Sequence, residues 1–363
     1  MEHFAGLDVA MEETAVCVVD GDGTILLETN VPTDPEKIAL TLAPYGKTLR
    51  NTGHEAGSLS PWLHPALEDL GVPIVCLEAR HVRAAMAAQR NKTDQHDARA
   101  LAQIVRTGWF RQVHIKSQES YRLRLLLTQR RNLKQKHLDI ENSIRHSLKA
   151  FGIRVGRISR GRFEGKVREL IGDDEMMRGM IEPMLKVRAV MWEQYGILHK
   201  FLVKLVGEDE VCRRFMAIPG VGPVVALQVK TALDDPSRFR RSKTVGAYFG
   251  LTSRRWQTGK SVDFQGRISK MGDSDVRRSL VEAASSILTR FQGWTALKAW
   301  GMKIAKTKGH KRALVAVARK LATIMFAMWR DGTEYHWTTA KDGTTWSAEA
   351  ELKVLEKALV GTK

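Results

Sequence analysis

The sequence predicts a multidomain chain. An α/β N-terminal domain is followed by long coiled-coil-like helices and a mostly α C-terminal domain with a helix-hairpin-helix-like element. Three observations predict this. Short apolar runs alternate with helical spacing up to residue 115. Residues 121–151 contain no glycine or proline and open a region of heptad spacing. Amphipathic patterns then surround a glycine-rich turn. The 363 residues suffice for two or three domains. The expected boundaries are 1–115, 116–207 and 208–337, with a tail at 338–363.

Each element follows from local chemistry. "HFAGLDVA" and "TAVCVVD" are apolar runs parted by "MEE", and "TILLETN" follows the turn "DGDG", which reads as a three-strand meander. "EKIALTLAPY" is a helix, and "LRNTGHEAG" runs to a strand end. "SPWLHPALEDLG" opens on Ser-Pro and closes on glycine, both helix punctuation. "VPIVCLEA" is a buried strand. "KTDQHDARALAQIVRTGW" carries Thr93 as N-cap and helical apolar spacing at Leu101, Ile104 and Val105.

In the middle, Leu126, Leu133, Ile140 and Ser147 step by seven, with His137, Ile144 and Phe151 interleaved. A second stripe runs Ile181, Leu185, Arg188, Trp192, Tyr195, Leu198, Leu202, Leu205, and Gly196 is placed to kink it. The stripes fit an internal antiparallel hairpin and a dimerisation arm equally well, because heptads alone do not fix the partner. Residues 121–168 hold fourteen Lys and Arg, among them Arg130, Arg131 and Lys134, against three acids. A solvated face normally mixes signs, so this face suits a phosphodiester backbone.

The last third reads as helical. In "IPGVGP", Gly220 and Gly222 make a tight turn whose N–H groups can cradle an anion, the alternative being a plain αα corner. "SDVRRSLVEAASSILTRF" and "GHKRALVAVARKLATIMFAMW" are amphipathic helices.

Lys plus Arg is 58 against 40 acids, a net charge of +18 and a pI near 9.9. Such a surplus favours nucleic acid over an anionic membrane surface. Cys17, Cys76 and Cys212 lie far apart, which argues against a zinc ribbon or disulfide framework and suits a core role in a reducing cytoplasm. No membrane span or signal segment is expected, and the expected location is cytoplasmic.

Four carboxylates draw attention. Asp8 sits in an otherwise apolar strand, where burial is costly without a partner or cation. Glu55 ends another strand between small residues. Asp94 and Asp97 share one face of a helix start, where they also simply complement its dipole. Together they could hold Mg²⁺, and two such ions clamp the attacking and leaving oxygens of a phosphodiester. His54 and His96 lack zinc-ligand spacing. "RRWQTGKS" ends like a phosphate-binding loop, but Arg254 stands where the loop requires its first glycine. The stretch is instead crowded with cations.

The motifs "GLDVA", "HEAG", "NKTDQHDARALA", "IPGVGP", "FGLTSRRWQTGKS" and "GRISKMGDSDVRRSL", in this order, resemble the DEDD transposases of bacterial insertion sequences. That is insertion-sequence family one-ten, related to the Piv-type invertases. The likeness runs from Phe4 to Trp337. It implies a RuvC-like, ribonuclease-H-type N-terminal domain in which Asp8, Glu55, Asp94 and Asp97 bind Mg²⁺, and a second transposase domain after it. It also implies homodimers pairing into a homotetramer, a non-coding guide RNA that selects the DNA partners, and a covalent link from a serine hydroxyl to DNA phosphate. Here the matching letters are Gln257-Thr258-Gly259, so the hydroxyl is that of Thr258, a crowded but accepted nucleophile type. Ser261 and Ser253 are neighbouring candidates. Arg254, Arg255 and Lys260 would hold the scissile phosphate, while Arg267, Lys270, Arg277 and Arg278 track flanking backbone. Trp256 suits a stacked base or a core position equally. The competing readings are a RuvC-like nuclease or junction resolvase using water, a non-catalytic nucleic-acid-binding protein, and a nucleotide phosphotransferase suggested by "GLD".

Overall fold

The computed structural model describes residues 1–87, 93–259 and 262–335. The chain divides into two compact units, 1–121 and 122–363.

The first unit is a mixed sheet with helices on both faces. Strands β1 (His3–Val9), β2 (Glu13–Asp20) and β3 (Ile25–Pro32) form the expected antiparallel meander. β4 (Leu49–Glu55) pairs parallel to β1, and β5 (Ile74–Leu77) parallel to β4, giving the order β3-β2-β1-β4-β5. Helices α1 (Pro35–Leu42) and α2 (Ser60–Asp69) cover one face, where Ile38, Leu42, Leu63 and Leu67 pack on Ala5, Leu7, Val16 and Val18. Helix α3 (Ala79–Met86) was not legible in the sequence. It joins α4 (Asp94–Thr107) on the opposite face, burying Val82, Leu101, Ile104 and Val105 against Leu77. Thr93 caps α4 by accepting the His96 N–H at 3.3 Å, and left-handed Gly108 ends it.

The second unit is mostly helical. Helix α5 (Gln118–Lys149) opens it, and α6 (Phe163–Ile171) and α7 (Glu175–Glu208) follow. α5 and α7 pack antiparallel. Ile144 and Leu148 meet Ile181 and Leu185. His137 Nδ1 lies 3.2 Å from the Arg188 carbonyl, and Arg130 donates to the Tyr195 hydroxyl at 2.6 Å. Within the chain, then, the two stripes make the internal hairpin. The buried face of α7 departs from the expected stripe near its end. His199 and Val206 are buried, while Leu198 and Leu205 are only half-buried. The helix runs unbroken through Pro183 and Gly196.

Helices α8 (Glu210–Met216), α9 (Pro223–Leu233), α10 (Ser242–Tyr248), α11 (Ser274–Thr289), α12 (Ala296–Lys308) and α13 (His310–Asp331) build the second core around Phe215, Phe249, Leu280, Leu321 and Phe326. This third of the chain is not wholly helical. Strands β6 (Ser253–Thr258) and β7 (Val262–Ile268) form an exposed antiparallel hairpin. β6 carries no apolar alternation, and the one short alternating run of β7 (Val262, Phe264, Ile268) does not by itself reveal a hairpin. Cys17, Cys76 and Cys212 are free and buried, as expected. Among the described residues no helix is long and apolar enough to cross a membrane.

Candidate functional site

The acidic candidates converge on one edge of the first unit. β1 and β4 are parallel and in register at Leu7 and His54, so Asp8 and Glu55 follow side by side at the strand ends. Both line a cavity of about 260 Å³, together with His54, Ala56, Gly57 and Ser58. Asp8 is half-buried and not fully buried as expected, because its strand ends there and opens to this cavity.

Helix α4 brings the other pair toward the same edge. A Cβ on Gly6 would lie 2.1 Å from the Ala98 carbonyl and 2.4 Å from the Ala102 nitrogen, and one on Gly53 2.2 Å from Val105. Only side-chain-free residues let the helix lie this close to β1 and β4. The far end of α4 sits at the start of β1. Gln103 and Arg106 donate to the Gly23 and Gly21 carbonyls at 2.8 and 3.0 Å, beside the β2 end that pairs with His3. α4 therefore runs antiparallel to β1, and its first turn, with exposed Asp94 and half-buried Asp97, lies toward Asp8. Among the described residues no three acids or histidines stand as a ready-made cation site. Four like charges repel in the absence of a cation.

Behind Glu55 lies a feature the sequence did not reveal. His54 and His64 are buried, with His54 Nε2 and His64 Nδ1 2.9 Å apart. Burial, reinforced by His64, pushes the His54 pKa down to about 4, so the imidazole stays neutral. His54 Nδ1 lies 3.2 Å from the Glu55 carbonyl, and Ser60 Oγ accepts the Gly57 N–H at 2.9 Å. The strand end carrying Glu55 is thus fixed by buried polar contacts.

The hydroxyl candidate lies in the second unit. Thr258 is exposed on β6 and pairs with Val262 across the hairpin. Period two puts Trp256 and Thr258 on one face, and Arg255 and Gln257 on the other, while Arg254 falls where the register of β6 and β7 shifts. The hairpin base is clasped. Gly250 and Gly272 both have positive φ, and a Cβ on either would lie 2.2 Å from the Met271 or Tyr248 carbonyl, respectively. Arg277 Nη1 donates to the carbonyls of Met271, Gly272, Asp273 and Phe249 at 2.6 to 3.3 Å.

The expected cations have separate situations. Arg254 donates to the Ser269 carbonyl at 3.2 Å and remains exposed. Arg255 pairs both nitrogens with Asp263 at 2.7 and 2.8 Å, on the face away from Thr258. Arg267 and Lys270 are exposed with no ion pair among the described residues, and Lys270 has a φ of 56°. Arg278 lies 3.6 Å from Asp275, which Arg131 also engages. Arg130 donates to Tyr195 and to His199, and Lys134 is exposed. Gly220 packs against α11, and Gly222 caps α9 ahead of Pro223. Lys260 and Ser261 lie outside the described residues.

The sequence is similar to that of known proteins. Residues 5–153 match the IS110-type DEDD "Transposase" family model, and residues 212–300 match the "Transposase IS116/IS110/IS902 family" model. The transposase for insertion sequence element IS1111A of Coxiella burnetii is 26% identical over 328 residues, 89% of this chain and 88% of its own. A putative transposase of Sinorhizobium fredii is 29% identical over 253 residues, 68% of this chain and 65% of its own. The pilin gene-inverting protein of Moraxella bovis is 29% identical over 119 residues, 32% of this chain and 36% of its own. An acid-edged α/β unit followed by a basic helical unit is here the body of a DEDD transposase. The chain belongs to the IS110 family.

Proposed function

We propose that this transposase is an RNA-guided recombinase that excises and inserts its element on DNA. In this reading the first unit is RuvC-like, a reading supported by the strand order β3-β2-β1-β4-β5 with its antiparallel meander and parallel β4 and β5. The observation that carries the proposal is the shared edge of Asp8, Glu55 and the first turn of α4, set by the Gly6 approach. Carboxylate oxygens are the donors Mg²⁺ prefers, and Asp8, Glu55, Asp94 and Asp97 would hold it. A cation there supplies positive charge to the phosphate oxygens.

The Thr258 hydroxyl attacks phosphorus, forming a threonine–phosphate bond as the phosphate's bond to one deoxyribose oxygen breaks. The hydroxyl proton leaves, and the released strand end takes up a proton. Exposure of Thr258 on a clasped hairpin supports this role. Arg254, Arg267 and Lys270 meet the DNA backbone, and Arg255, neutralised by Asp263, contributes less. A one-signed arm beside a chain without an evident base-reading helix suits a guide RNA read by shape and backbone. The exposed heptad residues of α7 support self-association into the dimers from which a tetramer forms.

A suicide DNA substrate with guide RNA tests the mechanism. The expected product is a covalent protein–DNA adduct, lost in Thr258→Ala and in Asp8→Ala but kept in Thr258→Ser. Free-ended nicks that persist in Thr258→Ala would make water the nucleophile. That second reading is favoured by one observation, the threonine where the family pattern has serine.

A further inference from the structure

The hairpin carries more than a hydroxyl. Trp256 and Phe264 oppose each other across β6 and β7, with ring centroids 5.9 Å apart and planes inclined by 30°. They are 51% and 61% exposed, which is unusual for rings this large on such polar strands. Gly266 explains how the indole is held. A Cβ built there would lie 2.6 Å from the Trp256 ring, so the indole lies across the glycine and not upright in solvent. Its outer side is left open as a preformed platform.

The platform shares its face with Thr258, and exposed Arg254 lies two residues before Trp256 in the same strand. Arg267 and Lys270 are also exposed nearby in sequence, while the cation of the opposite face, Arg255, is cancelled by Asp263. Two rings amid cations that make no ion pair among the described residues are a poor apolar patch for a protein partner, which would need a wider contiguous area. They suit a group with a π face flanked by phosphates. Two residues along a strand span about 6.6 Å, roughly twice the 3.4 Å rise of a stacked nucleotide. That leaves space for one base unstacked from its neighbour.

We propose that the Trp256–Phe264 face of the hairpin receives one unpaired DNA base next to the phosphate that Thr258 meets. The proposal rests on the reading of Thr258 given above and adds to it a binding site for a base. The experiment uses full-length protein and DNA carrying 2-aminopurine, moved one position at a time across the element end in a single-stranded gap. Quenching is expected at one position. Trp256→Leu should abolish it and weaken binding about ten-fold, a typical loss for one stacked base. Trp256→Phe should keep part of it. Gly266→Val keeps the indole but fills the space beneath it, and should also abolish quenching. Thr258→Ala should leave quenching intact, which separates this site from failure of the nucleophile. The proposal is overturned if Trp256→Leu changes neither quenching nor affinity. It is overturned also if that variant impairs only binding of an RNA oligonucleotide, or only self-association.

Discussion

At the scale of single residues, Gly6 sets the acidic edge more directly than any of the acids. Its missing side chain lets α4 lie on β1, and that approach carries Asp94 and Asp97 toward Asp8. Gly6→Ala forces a methyl into backbone atoms that cannot move aside. The expected cost is about 1–3 kcal/mol in urea unfolding, as for other overpacked cores, with weakened Mn²⁺ binding measured by calorimetry. Unchanged Mn²⁺ affinity would separate α4 from the cation site. His199 gives a pH signature in the arm. Burial first, then Arg130 and Lys134, pushes its pKa down to about 4 from 6.5. Arg130 Nε donates to its Nδ1 at 3.1 Å, and Tyr195 stacks on it. The unfolded chain therefore binds the His199 proton more readily than the folded one. Its contribution to stability is complete above about pH 6.5 and is lost as pH falls toward 4. Urea midpoints of His199→Gln should fall less steeply than those of the wild type across this window. Parallel curves would show that His199 does not titrate there.

At the scale of elements, legibility followed periodicity. The meander, α2, α4, α5 and α7 were evident because their apolar spacing matches a strand or a helix. Helix α3 and the β6–β7 hairpin were not, since α3 is short and charged and β6 is polar and exposed along its whole length. The arm illustrates a deeper limit. Its inner stripe was visible as a heptad, whereas an outer one was not singled out in the sequence and emerges from burial. Met176, Met180, Val187, Val190, Ile197 and Phe201 repeat with heptad spacing along α7 and are all exposed. An apolar heptad facing water is a helix-pairing surface without its partner, and a second copy of α7 matches it. Val187 and Ile197 are both exposed, so the fold should survive Val187→Asp with Ile197→Asp. Light scattering should then show monomers where the wild type self-associates. A variant that still associates places the interface elsewhere.

At the scale of the whole molecule, the charge of +18 announced a polyanion partner but not which cations meet it. Composition counts every guanidinium alike, whereas the fold commits many of them internally. Arg188 is buried between Glu141 and Glu164. Arg130 serves Tyr195, Arg131 serves Asp275, and Arg277 holds the hairpin base. None of this is readable without three-dimensional neighbours, because every partner is distant in sequence or a backbone carbonyl. The distinction has a measurable consequence. Each phosphate neutralised by the protein releases counterions, so log K falls linearly with log salt, and the slope counts the contacts. Arg267→Gln and Lys270→Gln should each reduce the slope for DNA by about 1 and weaken binding evenly across sequences. Arg255→Gln should leave the slope almost unchanged, since Asp263 already neutralises that guanidinium. Fluorescence anisotropy over about 50–200 mM salt separates these outcomes. An Arg255→Gln slope that falls as far as that of Arg267→Gln would mean that DNA displaces Asp263. The face of the hairpin opposite Thr258 would then lie against the backbone.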